Sequence, residues 1–174
     1  SGAIAKFSPI MEKVIDFGRN GGYIIGICNG FQILTESGLL PGALLHNTNN
    51  KFICKNVFLK INNTNTLVTN SYEKNVIKVP IAHGEGRFFA DENTMKDLKQ
   101  NDQIIFKYCD SNGEVVESSN PNGSLDNIAG ICNKEKNIFG MMPHPERAAD
   151  VLLSNTDGVA LFKSIMNYIN LEKN

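Results

Sequence analysis

The run Tyr23-Ile24-Ile25-Gly26-Ile27-Cys28-Asn29-Gly30-Phe31-Gln32 constrains this chain more than any other segment. A short apolar strand ends in Gly-x-Cys-x-Gly, and a helical pattern follows at once. That layout is a nucleophile elbow, a sharp strand-to-helix turn that lifts one side chain above the end of a sheet. Small residues are expected on both sides, because a Cβ there collides with neighbouring backbone. The lifted side chain is a cysteine. At a helix N-terminus, backbone N–H groups and the helix dipole favour a thiolate and are expected to lower its pKa. The bland alternative is a small buried cysteine inside a βα unit, the commoner fate of this residue type.

The surrounding pattern is that of an α/β domain. Ser8 and Pro9 make a helix start, and Ile10, Met11, Val14, Ile15 and Phe17 follow at helical spacing. The helix after the elbow is predicted from about Asn29 to Ser37, closed by Gly38. Strands are predicted over 52–61, 67–69, 76–82 and 103–108, and Asp91 is placed to cap a short helix. Asn112-Gly113 reads as a hairpin turn before a strand at 114–117. Residues 128–132 and 137–142 form another expected strand pair. The last helix is predicted over about 157–169, burying Val159, Leu161, Phe162, Ile165, Met166 and Ile169. Neither a repeat nor a linker divides the chain, so residues 1–174 are taken as one domain.

A thiol nucleophile needs a reducing compartment, and cysteine usage fits one. Cys28, Cys54, Cys109 and Cys132 show no C-x-x-C spacing, which argues against zinc and against a disulfide framework. A cytoplasmic location and no metal are expected. The net charge of −1 gives no sign of a nucleic-acid surface. No apolar run reaches the roughly 20 residues that span a bilayer, so no membrane partner is expected.

A cysteine nucleophile also needs a base, and the base needs an orienting group. The chain has 3 histidines. His46 lies in a predicted loop after Pro41-Gly42 and reads as structural. His144 lies in Met142-Pro143-His144-Pro145-Glu146-Arg147, where two prolines restrict the backbone around it. In an extended chain, residues two apart share a face, so Glu146 is placed to accept from one imidazole nitrogen while the other meets the thiol. The competing reading is a rigid exposed loop with an incidental ion pair. His83-Gly84-Glu85-Gly86-Arg87 follows a strand, and its glycines suit close approach of a small polar ligand. It lacks the lysine and spacing of a phosphate loop. A plain glycine-rich turn is its alternative.

Gly-Ile-Cys-Asn-Gly-Phe-Gln, His-Gly-Glu-Gly-Arg-Phe and Gly-Met-Met-Pro-His-Pro-Glu-Arg, in that order, resemble the class I (triad) glutamine amidotransferases. More narrowly they are similar to the glutaminase subunit or domain of phosphoribosylformylglycinamidine synthase. Gly2–Phe7 and Lys51-Phe52-Ile53-Cys54 share the likeness, which covers essentially the whole chain. The resemblance implies a flavodoxin-like, open, mostly parallel sheet flanked by helices, with added antiparallel strands. It implies that Cys28 attacks the side-chain amide of glutamine, with His144 as base and then acid, Glu146 as orienter and the Asn29 N–H in the oxyanion hole. Gln32, His83, Gly84 and Glu85 would line the glutamine pocket. The ammonia would pass to a synthetase subunit or domain that converts formylglycinamide ribonucleotide to the amidine, with a small accessory subunit as a further candidate partner. No cofactor is implied on this chain; ATP and Mg would belong to the synthetase.

One departure stands out. Such proteins carry an N-terminal part before Gly2, about two βα units of roughly 30 residues each, with early strands and a second oxyanion donor. The chain opens Ser1-Gly2-Ala3-Ile4 without a methionine, so it is expected to be incomplete at its N-terminus. One lost oxyanion donor typically costs about 100- to 1000-fold in rate. Two other readings therefore stay open: a different cysteine hydrolase such as a γ-glutamyl peptidase, and a docking module without a competent site.

Overall fold

The computed structural model describes residues 7–171; the resemblance at Gly2–Lys6 lies outside them. In chain order the elements are α1 (Pro9–Arg19), β1 (Ile24–Ile27), α2 (Asn29–Glu36), β2 (Ala43–His46), β3 (Ile53–Ile61), β4 (Val76–His83), β5 (Glu85–Phe89), α3 (Glu92–Gln100), β6 (Ile104–Cys109), β7 (Ile128–Cys132), β8 (Ile138–Met141) and α4 (Val159–Leu171). Six strands form one sheet in the order β1-β8-β7-β6-β3-β4, and β2 pairs with β5 in a two-stranded sheet.

The α/β class and the added antiparallel strands are as expected. The balance of pairings differs: among the described residues β1–β8 is the one parallel pair, and the other pairs are antiparallel. Apolar side chains cover both faces of the large sheet. Leu59, Ile77, Val79, Ile105 and Tyr108 pack on one side with Leu161 of α4. Phe31 and Leu34 of α2 pack on the other with Phe88, Leu98 and Ile131.

Three local expectations fail for physical reasons. Residues 67–69 are a buried turn instead of a strand: Thr66 O accepts from the Thr69 and Asn70 N–H groups, and the Thr66 and Thr69 hydroxyls lie 2.6 Å apart. Such local bonds compete with a ladder. The Asn112-Gly113 turn forms, but no strand follows it; a 3₁₀ turn at Glu117–Ser119 does. β6 already has β3 on one side and β7 on the other, so a returning strand has no edge to join. Finally, α4 buries Leu161 and Ser164, while Phe162, Met166 and Ile169 are exposed. Polar anchors set that rotation. Ser164 Oγ accepts from the Ser71 N–H at 2.9 Å, and Asn70 Nδ2 donates to Ser164 O at 3.2 Å.

The caps are mixed. Asp91 accepts from the Thr94 N–H and caps α3, as expected. Ser8 makes no side-chain cap bond, and Pro9 at the first position of α1 supplies the start instead.

The two glycines of the elbow differ in their need. A Cβ on Gly26 would lie 2.6 Å from the Gly30 carbonyl carbon, a backbone atom that cannot swing aside. A Cβ on Gly30 would meet nothing within 4 Å. Gly26→Ala is therefore expected to destabilise the fold by about 1–3 kcal/mol. Gly30→Ala, inside α2, is expected to be neutral or to gain up to about 1 kcal/mol from helix propensity. Urea denaturation of both variants checks this; equal losses would show that the crowding at Gly26 is not what matters.

Candidate active site

β1 and β8 run side by side in the same direction, with Gly26 opposite Gly140 and Ile27 opposite Met141. Both strands therefore end at one edge of the sheet. Cys28 follows β1, and its N–H donates to Met141 O at 2.8 Å. His144 lies three residues beyond that same Met141. The two segments, distant in sequence, share one cavity of about 530 Å³, whose wall includes Cys28, Asn29, Gln32, His83, His144 and Arg147.

Cys28 sits at φ 53° and ψ −107°, a backbone region that side-chain-bearing residues seldom occupy. The turn is held by the Met141 contact and by the Gln32 N–H donating to Cys28 O at 3.2 Å. Strain of this kind, of order 1–3 kcal/mol, persists where surrounding structure fixes it, and it concentrates at functional sites. Against the expectation from the helix N-terminus, the thiol is pushed above its ordinary range. Burial is the largest influence; the Asn29 N–H and the Arg147 guanidinium pull it down, and the Glu146 carboxylate pushes it up.

His144 is 7% exposed. Its own N–H donates to Pro80 O at 2.8 Å, which ties the loop to β4. The ring Nδ1 lies 2.6 Å from Glu146 Oε1. A carboxylate only accepts, so Nδ1 carries the proton and Nε2 offers a lone pair. That Nε2 is buried and has no partner among the described residues. The shared face arises by a different route from the expected extended chain: Pro145–Ala148 form a 3₁₀ turn that folds Glu146 back under the ring. Arg147 Nε stands 3.6 Å from the same Glu146 oxygen.

Gln32 and Glu85 are joined by a 2.6 Å bond from Gln32 Nε2 to the Glu85 carbonyl, so α2 and β5 close one side of the cavity together. The Glu85 carboxylate turns outward, 3.4 Å from His46 Nε2. His46, the last residue of β2, is thus a surface partner outside the cavity wall. Gly84 separates β4 from β5 and lines the cavity, as does the exposed ring of Phe52. His83 is 3% exposed, and burial together with the nearby His144 pushes its pKa down to about 4. Sequence reasoning missed the β2–β5 ribbon and Asn47, a fully buried residue bonded to His83. The signal for the ribbon was present in the alternation of Glu85-Gly86-Arg87-Phe88-Phe89.

A larger cavity of about 710 Å³ lies elsewhere, beside Tyr23, Asn137 and Tyr168, and holds none of these groups. Among the described residues no cluster of three metal-ligating side chains occurs, and no helix is long and apolar enough to cross a membrane.

Comparison with known proteins identifies the family. The CobB/CobQ-like glutamine amidotransferase domain matches residues 2–169. Phosphoribosylformylglycinamidine synthase subunit PurQ of Synechocystis sp. is 57% identical over 164 residues, 94% of this chain and 73% of that protein. The PurQ subunit of Acaryochloris marina is 53% identical over 167 residues, 95% of this chain and 71% of that one. Among solved structures, that of PurLQS from Thermotoga maritima superimposes with a TM-score of 0.81 at 42% identity, covering 97% of this chain and 72% of that one. The glutaminase domain of Trypanosoma brucei CTPS, at 10% identity and a TM-score of 0.53 over 87% of this chain and 62% of that one, shares the fold. The chain belongs to the glutamine amidotransferase family, in its branch of phosphoribosylformylglycinamidine synthase PurQ subunits.

Proposed function

We propose that this chain hydrolyses glutamine with a Cys28–His144–Glu146 triad and delivers ammonia to a synthetase partner that makes formylglycinamidine ribonucleotide. The observation that carries the reading is the buried, unpartnered Nε2 of His144 in the same cavity as a strained Cys28, with Glu146 fixing the opposite ring nitrogen.

The chemistry follows from those atoms. The Cys28 proton passes to His144 Nε2 as Sγ attacks the side-chain carbonyl carbon of glutamine. The Asn29 N–H supports the oxyanion that forms. The tetrahedral centre collapses, its C–N bond breaks, and the proton on Nε2 goes to the leaving nitrogen as ammonia departs. A γ-glutamyl thioester remains. Water, deprotonated by the same nitrogen, cleaves it to glutamate and restores the thiol. Glu146 keeps the ring in its tautomer and balances the transient imidazolium. Gln32, His83, Gly84 and Glu85 are assigned to the glutamine pocket. The ATP and Mg that drive the synthetase reaction are assigned to the partner, and the assembly to the cytoplasm.

Because burial raises the Cys28 thiol, the resting site holds a thiol that is ionised by proton transfer during attack. Alkylation of Cys28 by iodoacetamide in the unliganded chain is expected to climb steadily from pH 6 to 9, about tenfold per unit, as the thiolate fraction grows. A plateau near pH 7, read by mass spectrometry, would show a preformed thiolate and contradict this.

The glutamine-mimicking electrophile 6-diazo-5-oxonorleucine should label Cys28 and none of Cys54, Cys109 or Cys132 in the full-length chain. Absence of that adduct would overturn the glutaminase reading. Labelling together with glutamine hydrolysis that neither responds to the synthetase nor feeds it would favour a γ-glutamyl peptidase. With the partner present, Cys28→Ser and His144→Ala should each abolish glutamine-dependent turnover while activity with added ammonia survives. Glu146→Gln should lose less than either, since removing an orienter costs less than removing the nucleophile or base.

A further inference from the structure

Asn47 is 1% exposed and sits just beyond β2, where its N–H donates to Gly84 O at 3.0 Å. Its side-chain amide is fully used. Nδ2 donates to Lys51 O at 2.8 Å and to His83 O at 2.9 Å. Two carbonyl acceptors fix which atom is the nitrogen, so the remaining atom, Oδ1, accepts. Oδ1 lies 3.1 Å from His83 Nδ1. The proton therefore belongs to Nδ1 of His83, and Nε2 carries the lone pair. That Nε2 is buried and unpartnered among the described residues. The ring also rests flush on Gly86, where a Cβ would come within 2.5 Å of it. A side chain at residue 86 would displace the ring from this position.

We propose that Asn47 is a positioning residue of this site: by clasping both the carbonyl and Nδ1 of His83, it holds that ring as a neutral Nδ1–H tautomer, an uncharged acceptor in the cavity wall that favours a carboxamide over a carboxylate. The inference rests on the glutaminase reading given above. A carboxamide carries N–H donors and no charge. Glutamate, the product, carries an anion and no donor at the corresponding group. A bare nitrogen suits the first, and an imidazolium at the same place would suit the second. Neutrality serves His144 as well, because a cation beside it would oppose the imidazolium that attack creates. The titratable groups sharing the cavity with His83 are Cys28, Glu85, His144 and Arg147, with Glu146 behind His144. Burial and the neighbouring His144 both act to keep His83 uncharged.

Long-range proton–nitrogen NMR of the full-length chain reads the tautomer directly. His83 should show the Nδ1–H pattern and stay neutral at every pH above about 5. An Nε2–H pattern, or titration near the ordinary imidazole value, would overturn the proposal whatever the activity data say. Asn47→Asp places a carboxylate against Nδ1 and so raises the His83 pKa. In the complex with the synthetase, this variant should raise KM for glutamine about tenfold or more and tighten inhibition by glutamate by a similar factor. Both effects should fade as pH rises through the raised pKa. A fall in kcat with KM and glutamate inhibition unchanged would mark Asn47 as merely structural and defeat the idea. Failure of 6-diazo-5-oxonorleucine to label Cys28 would defeat the glutaminase reading instead, and leaves the tautomer measurement intact.

Discussion

The parallel pairing of β1 with β8 is the constraint on which the site depends. It is the one parallel contact in the described sheet, and it sets two strand ends side by side. A single hydrogen bond, Cys28 N–H to Met141 O, finishes that pairing and begins the elbow. Shifting the register by one residue would turn every side chain of β1 to the other face. Cys28 would then leave the cavity, and Gly26 would no longer face the helix that requires its missing Cβ. The close approach of α2 to β1, the strained φ of Cys28 and the reach of His144 are thus consequences of one ladder.

The sequence showed the parts of the site that are local. An apolar strand, two glycines around a cysteine and a helix pattern specify the elbow, because the turn's geometry excludes side chains within a few residues. Pro143-His144-Pro145-Glu146 was legible for the same reason. Its detail was not: the ring meets Glu146 across a 3₁₀ turn, a geometry that periodicity two cannot express. Asn47 was invisible because its partner, His83, is 36 residues away. Nothing in Leu45-His46-Asn47-Thr48 distinguishes a buried clasp from an ordinary turn asparagine.

Two of the three errors in secondary structure, at residues 67–69 and on α4, share a cause. Apolar content predicted strands and buried faces, whereas polar side chains decided the outcome. Thr66 and Thr69 close residues 66–70 into a turn, and that turn offers Asn70 and Ser71 to Ser164. α4 rotates to make those bonds, so Ser164 is buried and Met166 is not. A buried serine with both its donor and acceptor used loses little by burial, whereas an unmet amide would cost about 1–3 kcal/mol. Hydrophobic periodicity alone cannot rank those two alternatives.

The cavity is organised around lone pairs more than around charge. His83 and His144 each have Nδ1 bonded to an oxygen and Nε2 left bare, but the oxygens differ: an amide for His83, a carboxylate for His144. The carboxylate balances an imidazolium; the amide offers no such support. Of two buried histidines in one wall, His144 is equipped to become charged and His83 to stay neutral. A raised thiol at Cys28 fits the same economy, since a resting thiolate here would have to be stabilised at the expense of its nucleophilicity. On the proposed mechanism, proton transfer then creates the thiolate and the His144 imidazolium together, as the sulfur meets a substrate carbonyl, beside the standing charges of Glu146 and Arg147.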